Sequence, residues 1–197
     1  NVHIDPILPK KIAIITHAHA DHARYGHEEV IATKQTIDIM KIRYGESCAK
    51  KYTVLRYGQK YQIKDYQFTL YPAGHILGSA QVLIEKNKHR LVVTGDYKVG
   101  KDKTCKNFKV VKCDTLITEA TFGLPIFQHP DPREEIKKLI NSVKKNKSSC
   151  HIIGAYALGK AQRVMNLLRQ SNYSNTIYIH GSLEKLCNYY RSQKINI

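Results

Sequence analysis

Residues 16–22 (THAHADH) constrain this chain more than any other segment, because they place three histidines and one aspartate within six positions. They follow the apolar run IAII, which is typical of a strand buried on both faces of a sheet. His17 and His19 are two residues apart, so an extended backbone directs both imidazoles to the same side. The chain must then turn, and Asp21 and His22 approach the same place from a second direction.

This set of donor groups predicts a metal centre. Two metal ions a few ångströms apart need ligands from two directions, and imidazole together with carboxylate suits Zn²⁺ or Mn²⁺. The alternative is a polar surface loop that happens to contain histidine. The small spacers Ala18 and Ala20 leave no bulk between the candidate ligands, which favours the metal centre.

Two further candidate ligands lie downstream. His75 stands in residues 72–79 (PAGHILGS), where the glycines allow the backbone to approach an occupied site closely. Asp96 ends residues 91–96 (LVVTGD), and a carboxylate at the tip of a buried strand can bridge two metal ions. Taken singly, a histidine or a strand-end aspartate usually has a structural role. Together with residues 16–22, they predict one site.

The pattern of predicted elements changes near Phe122. Before it, one helix is predicted over residues 33–44, and the strand-like segments are 12–16, 30–32, 53–57, 61–63, 66–71, 81–85, 91–94 and 114–118. After it, predicted helices begin at residues 131, 160 and 182, and they alternate with strand-like segments at 151–157 and 176–179. Such alternation implies parallel strand pairing, so we expect a second, α/β domain.

The charge of the chain limits its partners. Thirty-two Lys and Arg against 16 Asp and Glu give a net charge of +16, which favours a polyanion, with nucleic acid first and an anionic membrane surface second. No apolar run approaches the roughly 18 residues of a membrane span. The five cysteines are odd in number, no pair has CxxC spacing, and no secretory signal is recognised. We therefore expect free thiols and a cytoplasmic location.

Several motifs in this order resemble a known superfamily. HxHxDH, a glycine-flanked histidine and an aspartate after a buried strand resemble the metallo-β-lactamase fold. Residues 116–123 (LITEATFG) resemble the acidic motif that opens the β-CASP region of nucleases in that superfamily, and residues 154–162 (GAYALGKAQ) resemble their next landmark. Residues 179–186 (IHGSLEKL) resemble the bacterial branch of ligase-associated DNA exonucleases, or mRNA 3′-end processing factor-like exonucleases.

The resemblance covers nearly the whole chain and implies its fold. The class is α/β (α+β), with an incomplete metallo-β-lactamase αββα sandwich over residues 1–123. The start of a β-CASP α/β domain follows over residues 124–197.

The resemblance also implies two divalent metal ions, Zn²⁺ first and Mn²⁺ as the alternative. It implies that His17, His19 and His75 hold one ion. Asp21 and His22 would hold the second ion, and Asp96 would bridge the two. In such enzymes the metals share a hydroxide that attacks the phosphodiester phosphorus in line. Asp21 is expected to orient it, and Glu119 to accept the free N–H of a ligand histidine. The alternative for Glu119 is a carboxylate that stabilises a turn.

Lysines that follow Asp96 are candidates for contact with a phosphate backbone. Lys98, Lys101 and Lys103 are the first of six lysines before Asp114. A run of charges is usually a solvated face, but beside a phosphodiesterase-like site a backbone-tracking role is favoured.

Residues 154–160 imitate an ATP-binding loop. They fit GxxxxGK, but Ala161 stands where that motif requires a Mg²⁺-binding Ser or Thr, so we do not expect ATP binding. Gly159 and Lys160, at the start of the following helix, are instead candidates for binding a nucleic-acid phosphate.

We therefore expect a metal-dependent nuclease that hydrolyses DNA, an exonuclease of DNA repair with a functional link to a DNA ligase or helicase by family resemblance. An RNA-processing ribonuclease is the alternative, because nothing in the sequence reads the 2′-hydroxyl. A thioesterase or lactonase with the same metal motif comes third, and the charge and residues 116–123 argue against it.

The resemblance predicts more chain than residues 1–197. It implies strands upstream and a later return segment with a further ligand histidine. We therefore expect a fragment of a longer protein or a decayed gene product, and the latter would be a non-catalytic nucleic-acid-binding remnant.

Overall fold

The chain folds as two compact units. The computed structural model describes residues 1–197, which divide into unit 1, Asn1–Glu119, and unit 2, Ala120–Ile197. The domain boundary expected from the sequence, between residues 123 and 124, lies four residues further along the chain. The interpretation of the units as metallo-β-lactamase and β-CASP domains stays a prediction.

Unit 1 contains two sheets. The first is parallel throughout and has the order β1-β2-β3-β4. Its strands are β1 His3–Ile4, β2 Ile12–Ile14, β3 His27–Ala32 and β4 Ala49–Val54. The second has the order β5-β6-β7-β8-β9; its pairs are antiparallel except that β9 runs parallel to β8. Its strands are β5 Lys60–Ile63, β6 Tyr66–Pro72, β7 Ala80–Lys86, β8 His89–Val93 and β9 Thr115–Ile117.

The two sheets enclose the main apolar core of unit 1. Ile14 and Ile31 from the first sheet form one buried cluster with Phe68, Leu70 and Val82 from the second. Each such side chain contributes roughly 1.5–3 kcal/mol by leaving water. The core therefore holds the end of β2, which carries the histidine motif, in a rigid setting.

One helix, α1 Lys34–Tyr44, packs against β3 and β4. The sequence predicted it closely: the Thr33 side chain caps its first turn by accepting from the Thr36 N–H, and Gly45 ends it. The spacing of Ile37 and Met40 predicts that both face inward, and both are buried. The prediction is confirmed because caps and apolar spacing are local signals.

Two strand predictions in unit 1 need correction. The strand expected over residues 53–57 lies earlier, at β4, and pairs with β3. The apolar run in residues 114–118 predicts a buried strand; the segment does form a strand, β9, but it is exposed, with Leu116 at 55% and Ile117 at 54%. β9 is the edge strand of the second sheet.

Unit 2 contains helices and no strand. They are α2 Pro132–Lys145, α3 Lys160–Gln170 and α4 Glu184–Ser192, the last preceded by a 3₁₀ turn at Gly181–Leu183. Asp131 followed by Pro132 is a favourable helix start, and the Asp131 side chain does cap α2 by accepting the Arg133 N–H. No helix of the chain has the length and apolar character that a membrane crossing requires.

The strands predicted at residues 151–157 and 176–179 are absent from the structure. Ile152 and Tyr178, which lie within them, are each 92% exposed. A strand needs a neighbour that pairs with its backbone N–H and C=O groups, and unit 2 provides none. The α/β alternation expected for residues 124–197 is therefore present only in its helices.

Candidate metal centre

The end of β2 is fixed to both sheets before the histidine motif begins. The Ile15 N–H donates to the Ile31 carbonyl at 3.0 Å, and the Thr16 carbonyl accepts from the Ala80 N–H at 2.8 Å. Beyond it, the His19 carbonyl accepts from the Ala23 N–H at 2.8 Å, which closes a tight turn. The turn expected from the sequence is thus present, and it brings His22 back towards β2.

Four donor atoms converge beyond this strand. His19 Nδ1 lies 3.1 Å from His17 Nε2 and 3.1 Å from His75 Nε2. Asp96 Oδ2 is 3.7 Å from the Nε2 atom of His17 and from that of His75. One ligand atom from each residue fits within 4.8 Å of all the others, so the group can hold a divalent metal ion.

Asp96 lies between this group and His22. Its Oδ1 atom is 3.3 Å from His22 Nε2, while its Oδ2 atom faces His17 and His75. Asp21 Oδ2 is 3.7 Å from the same His22 nitrogen, and the Asp21 side chain is 74% exposed. The structure therefore brings all six candidate ligands to one place; their roles as ligands stay predictions.

Asp5 is a site residue that the sequence analysis missed. Its carboxylate accepts the Thr16 N–H at 2.8 Å, the Thr16 hydroxyl at 2.6 Å and the His22 Nδ1–H at 2.8 Å. Because the single hydroxyl proton of Thr16 goes to Asp5, the Thr16 oxygen accepts from the Nδ1–H of His17, at 3.1 Å. Both histidines then present Nε2 to the cluster, as metal-ligating histidines usually do when the other nitrogen is held.

Asp5 also belongs to a second group of possible ligands, with His17 and His22. Its bond to the Nδ1 atom of His22 indicates a hydrogen-bond partner rather than a ligand. The one signal for it in the sequence is an Asp-Pro pair after a short apolar segment, which is weak by itself.

Burial and charge set the protonation of the cluster. Burial holds the pKa of His17 well below its ordinary value, and burial together with His19 lowers the pKa of His75 to about 4. Both are neutral at pH 7, as metal ligands must be. The hydrogen bond to Asp5 raises the pKa of His22 to about 10, and the hydrogen bond from His22 lowers the pKa of Asp96 to about 2. Metal binding at His22 would therefore release a proton.

Gly95, next to Asp96, is required by close packing. It has φ +54°, and a Cβ atom there would lie 2.6 Å from Thr16 Oγ1. A side chain would therefore disturb Thr16 and, through it, the orientation of His17.

Glu119 lies in the same region. Its carboxylate accepts the Tyr97 N–H at 3.4 Å, and its charge acts on His75 to raise the pKa of that imidazole, against the larger effect of burial. Its expected role in orienting a ligand histidine stays a prediction.

Of the candidate nucleic-acid contacts, one lysine is already paired with a carboxylate and the other lysines have exposed side chains. The Lys98 ammonium donates to the buried carboxylate of Asp102 and is 25% exposed. Lys101 and Lys103 are exposed. In unit 2, Gly159 caps α3 with φ +88°, and the ammonium of the exposed Lys160 lies 5.6 Å from the Tyr156 ring.

Comparisons with known proteins identify several relatives of this chain. No protein-family model matches the chain. It is 30% identical over 95% of its length to a "Probable DNA ligase" of Opitutus terrae, and 33% identical over 84% to "Transcription termination factor FttA" of Methanosarcina mazei. It is 29% identical over 86% to an "RNase J-like protein" of Methanocaldococcus jannaschii. The chain spans 18%, 32% and 47% of these relatives' own lengths, respectively.

The two sheets and the cluster of histidine and aspartate able to bind metal agree with the metallo-β-lactamase class that the motifs predicted. The relatives are β-CASP nucleases of that class, which confirms the family resemblance of the motifs.

Proposed function

We propose that this chain forms the metal centre of a nuclease that hydrolyses phosphodiester bonds in nucleic acid. The observation that carries the proposal is the convergence of His17, His19 and His75 on Asp96, all within 4.8 Å. Support comes from relatives named "RNase J-like protein" and "Endoribonuclease ysh-1".

We infer two divalent ions, with Zn²⁺ as our first choice and Mn²⁺ as the second. His17, His19 and His75 would hold one ion. Asp21 and His22 would hold the other, and Asp96 would lie between the two groups. When bound, such ions supply a nucleophile from water at neutral pH and neutralise charge on the phosphate.

The chain itself prepares this chemistry in three ways. Asp5 and Thr16 keep the Nδ1 protons in place, so that His22 and His17 offer Nε2. Burial keeps the imidazole of His17 neutral at neutral pH. Asp21 is the exposed member of the set, so its carboxylate is accessible to an attacking water and can accept a proton from it.

DNA is our first candidate substrate, with exonucleolytic repair as the role and a DNA ligase as the functional partner. It is supported by the relative that covers 95% of the chain, which is named "Probable DNA ligase". RNA processing is the second candidate, because other relatives carry ribonuclease names. We also propose a cytoplasmic location, in line with five free cysteines.

The test is cleavage of end-labelled DNA and RNA strands of matched sequence, by protein loaded with Zn²⁺ or Mn²⁺. His19→Ala and Asp96→Ala should abolish cleavage of the preferred strand. His89→Ala is the matched control, since His89 is an exposed histidine outside the cluster and should leave the rate unchanged.

The outcomes separate the candidate functions. Preference for RNA would replace DNA as the substrate, and salt-sensitive binding without turnover would support a non-catalytic nucleic-acid-binding protein. Absence of cleavage by the full-length protein on both polymers with either metal would refute the nuclease.

We further propose that the basic loop after Asp96 and the start of α3 contact the phosphate backbone. The residues are Lys98, Lys101, Lys103, Gly159 and Lys160. Replacing Lys101 and Lys103 together with Ala should weaken binding of both polymers and reduce the salt-dependence slope by about 2 if each lysine contacts one phosphate. An unchanged slope would remove both lysines from the interface.

A further inference from the structure

The N-terminal end of α1 is bonded to the loop that carries His75. The hydroxyl oxygens of Thr33 and Thr36, both buried, lie 2.7 and 3.0 Å from the Gly78 carbonyl oxygen. Gly78 has φ +86°, and a Cβ atom there would meet the Thr36 amide nitrogen at 2.7 Å. Only glycine therefore permits this close approach of loop and helix.

That loop is rigid between Gly78 and His75. The Ser79 hydroxyl oxygen accepts the His75 N–H at 3.1 Å and the Ile76 N–H at 3.2 Å. The Tyr57 hydroxyl donates to the Ser79 carbonyl at 2.9 Å. A displacement of Gly78 would thus be passed on to His75.

The C-terminal turn of α1 is bonded to the other ligand loop. Arg43 Nη1 donates to the Ala18 carbonyl at 2.6 Å. Ala18 is fully buried and stands between His17 and His19 in the chain. This bond therefore holds the backbone from which both imidazoles project.

The helix between these two ends is itself immobilised. Ile37, Ile39 and Met40 are buried, and α1 packs against β3 and β4. A helix of 11 residues is about 16 Å long and does not bend readily, so its two ends keep a constant separation.

We propose that α1 is a positioning element that sets the separation between His19 and His75, with Thr36 and Arg43 as its positioning residues. The two imidazoles come from loops 56 residues apart in sequence, yet His19 Nδ1 and His75 Nε2 lie 3.1 Å from each other. The helix bonds to both loops. The link to metal binding rests on the proposed function, whereas the link to histidine geometry does not.

The variants are Arg43→Met, Thr36→Val and Arg43→Lys, with Lys34→Met as the control on the exposed face of the same helix. The first readout is metal-free: ¹⁵N–¹H spectra of the histidine side chains. The His19 and His75 signals should shift in Arg43→Met and Thr36→Val, return towards wild type in Arg43→Lys, and stay unchanged in the control.

The second readout is Zn²⁺ affinity, measured by competition with a chromophoric chelator. Arg43→Met and Thr36→Val should bind Zn²⁺ about 10–100-fold more weakly, the usual effect of losing a partner that orients a ligand. Circular dichroism melting checks that each variant is folded. If Arg43→Met does not fold, the positioning role of α1 is tested with Thr36→Val and Arg43→Lys.

Unchanged His19 and His75 signals in folded Arg43→Met and Thr36→Val would overturn the positioning role, and so would unchanged Zn²⁺ affinity. A wild-type protein that binds Zn²⁺ but cleaves no nucleic acid would overturn the nuclease alone. A wild-type protein that binds no Zn²⁺ would overturn the metal centre, and the metal-free spectra would still decide the role of α1.

Discussion

Two segments of this chain have similar apolar sequences and different structures. Residues 12–16 (IAIIT) and 151–157 (HIIGAYA) were both predicted as strands. The first contains β2, which pairs with β1 and β3, and its Ile14 is fully buried. The second is unpaired, and its Ile152 is 92% exposed. β-Branched residues make a strand favourable, but neighbouring strands decide whether it forms.

The contrast also explains where chemistry is possible. The polar residues after β2 are held by a paired strand, so the orientation of His17 is determined by Thr16 and Asp5. Residues 151–157 are followed by the glycine-containing start of α3, without a paired strand before it. A metal centre needs the rigidity that the first segment has.

Truncating one isoleucine in each segment tests the contrast most strongly. Ile14→Ala should lower the free energy of unfolding by about 4 kcal/mol, because it leaves a cavity between the two sheets. Ile152→Ala should change it by less than about 0.5 kcal/mol, as expected for an exposed side chain. Urea unfolding measures both, and a cost above about 2 kcal/mol for Ile152→Ala would show that this segment is packed.

Replacing one glycine with alanine in each unit should give the second-largest difference in stability. Gly95→Ala should cost about 3 kcal/mol, because its Cβ atom meets Thr16 Oγ1 at 2.6 Å in a positive-φ conformation. Gly154→Ala is the matched change, since nothing lies within 4 Å of the added atom. Thermal melting should show a loss for Gly95→Ala alone, and equal melting temperatures would contradict the crowding at Thr16.

Removing one ion pair in each unit should give the smallest difference in stability. Burial is the largest single influence on the pKa of Asp102 and would raise it, but the hydrogen bonds from Lys98 and Thr104 and the charge of Lys98 together outweigh burial and lower this pKa. The side chain of Asp102 is 3% exposed. Asp102→Asn should therefore cost about 2 kcal/mol at pH 7.

The sign of the pH dependence follows from the lowered pKa. A carboxyl group whose pKa is lower in the folded state stabilises the protein above its unfolded pKa, and this stability is lost as the pH falls through the folded pKa. The difference between Asp102→Asn and wild type should thus shrink below about pH 4 in urea unfolding. Glu135→Gln, which breaks the exposed pair with Lys138, should leave stability unchanged at each pH. A pH-independent cost of Asp102→Asn would mean that packing, not charge, explains it.

Local signals in the sequence were sufficient for the ends of the helices and for two of the candidate ligands. Thr33 and Gly45 mark the ends of α1, and Asp131 marks the start of α2. The HxHxDH spacing similarly identifies His17 and His19 without knowledge of the sheet. In each case, the residues that interact are within a few positions of one another.

Asp5 and Arg43 were not predictable in the same way. Asp5 reaches His22 across 17 residues, and Arg43 reaches Ala18 across 25. Such contacts depend on the order of strands in the first sheet and on the packing of α1, which no local pattern encodes. The same holds for residues 151–157, whose strand propensity has no partner in unit 2.

The sequence by itself determined the candidate ligand residues of the metal centre, the caps of its helices and the basic charge of the chain. The tertiary structure decided which nitrogen of His17 and His22 faces the cluster, because Thr16 and Asp5 hold the other nitrogen. It also decided which apolar segments became strands. Covalent spacing sets the first group of properties, whereas backbone pairing and burial between distant segments set the second.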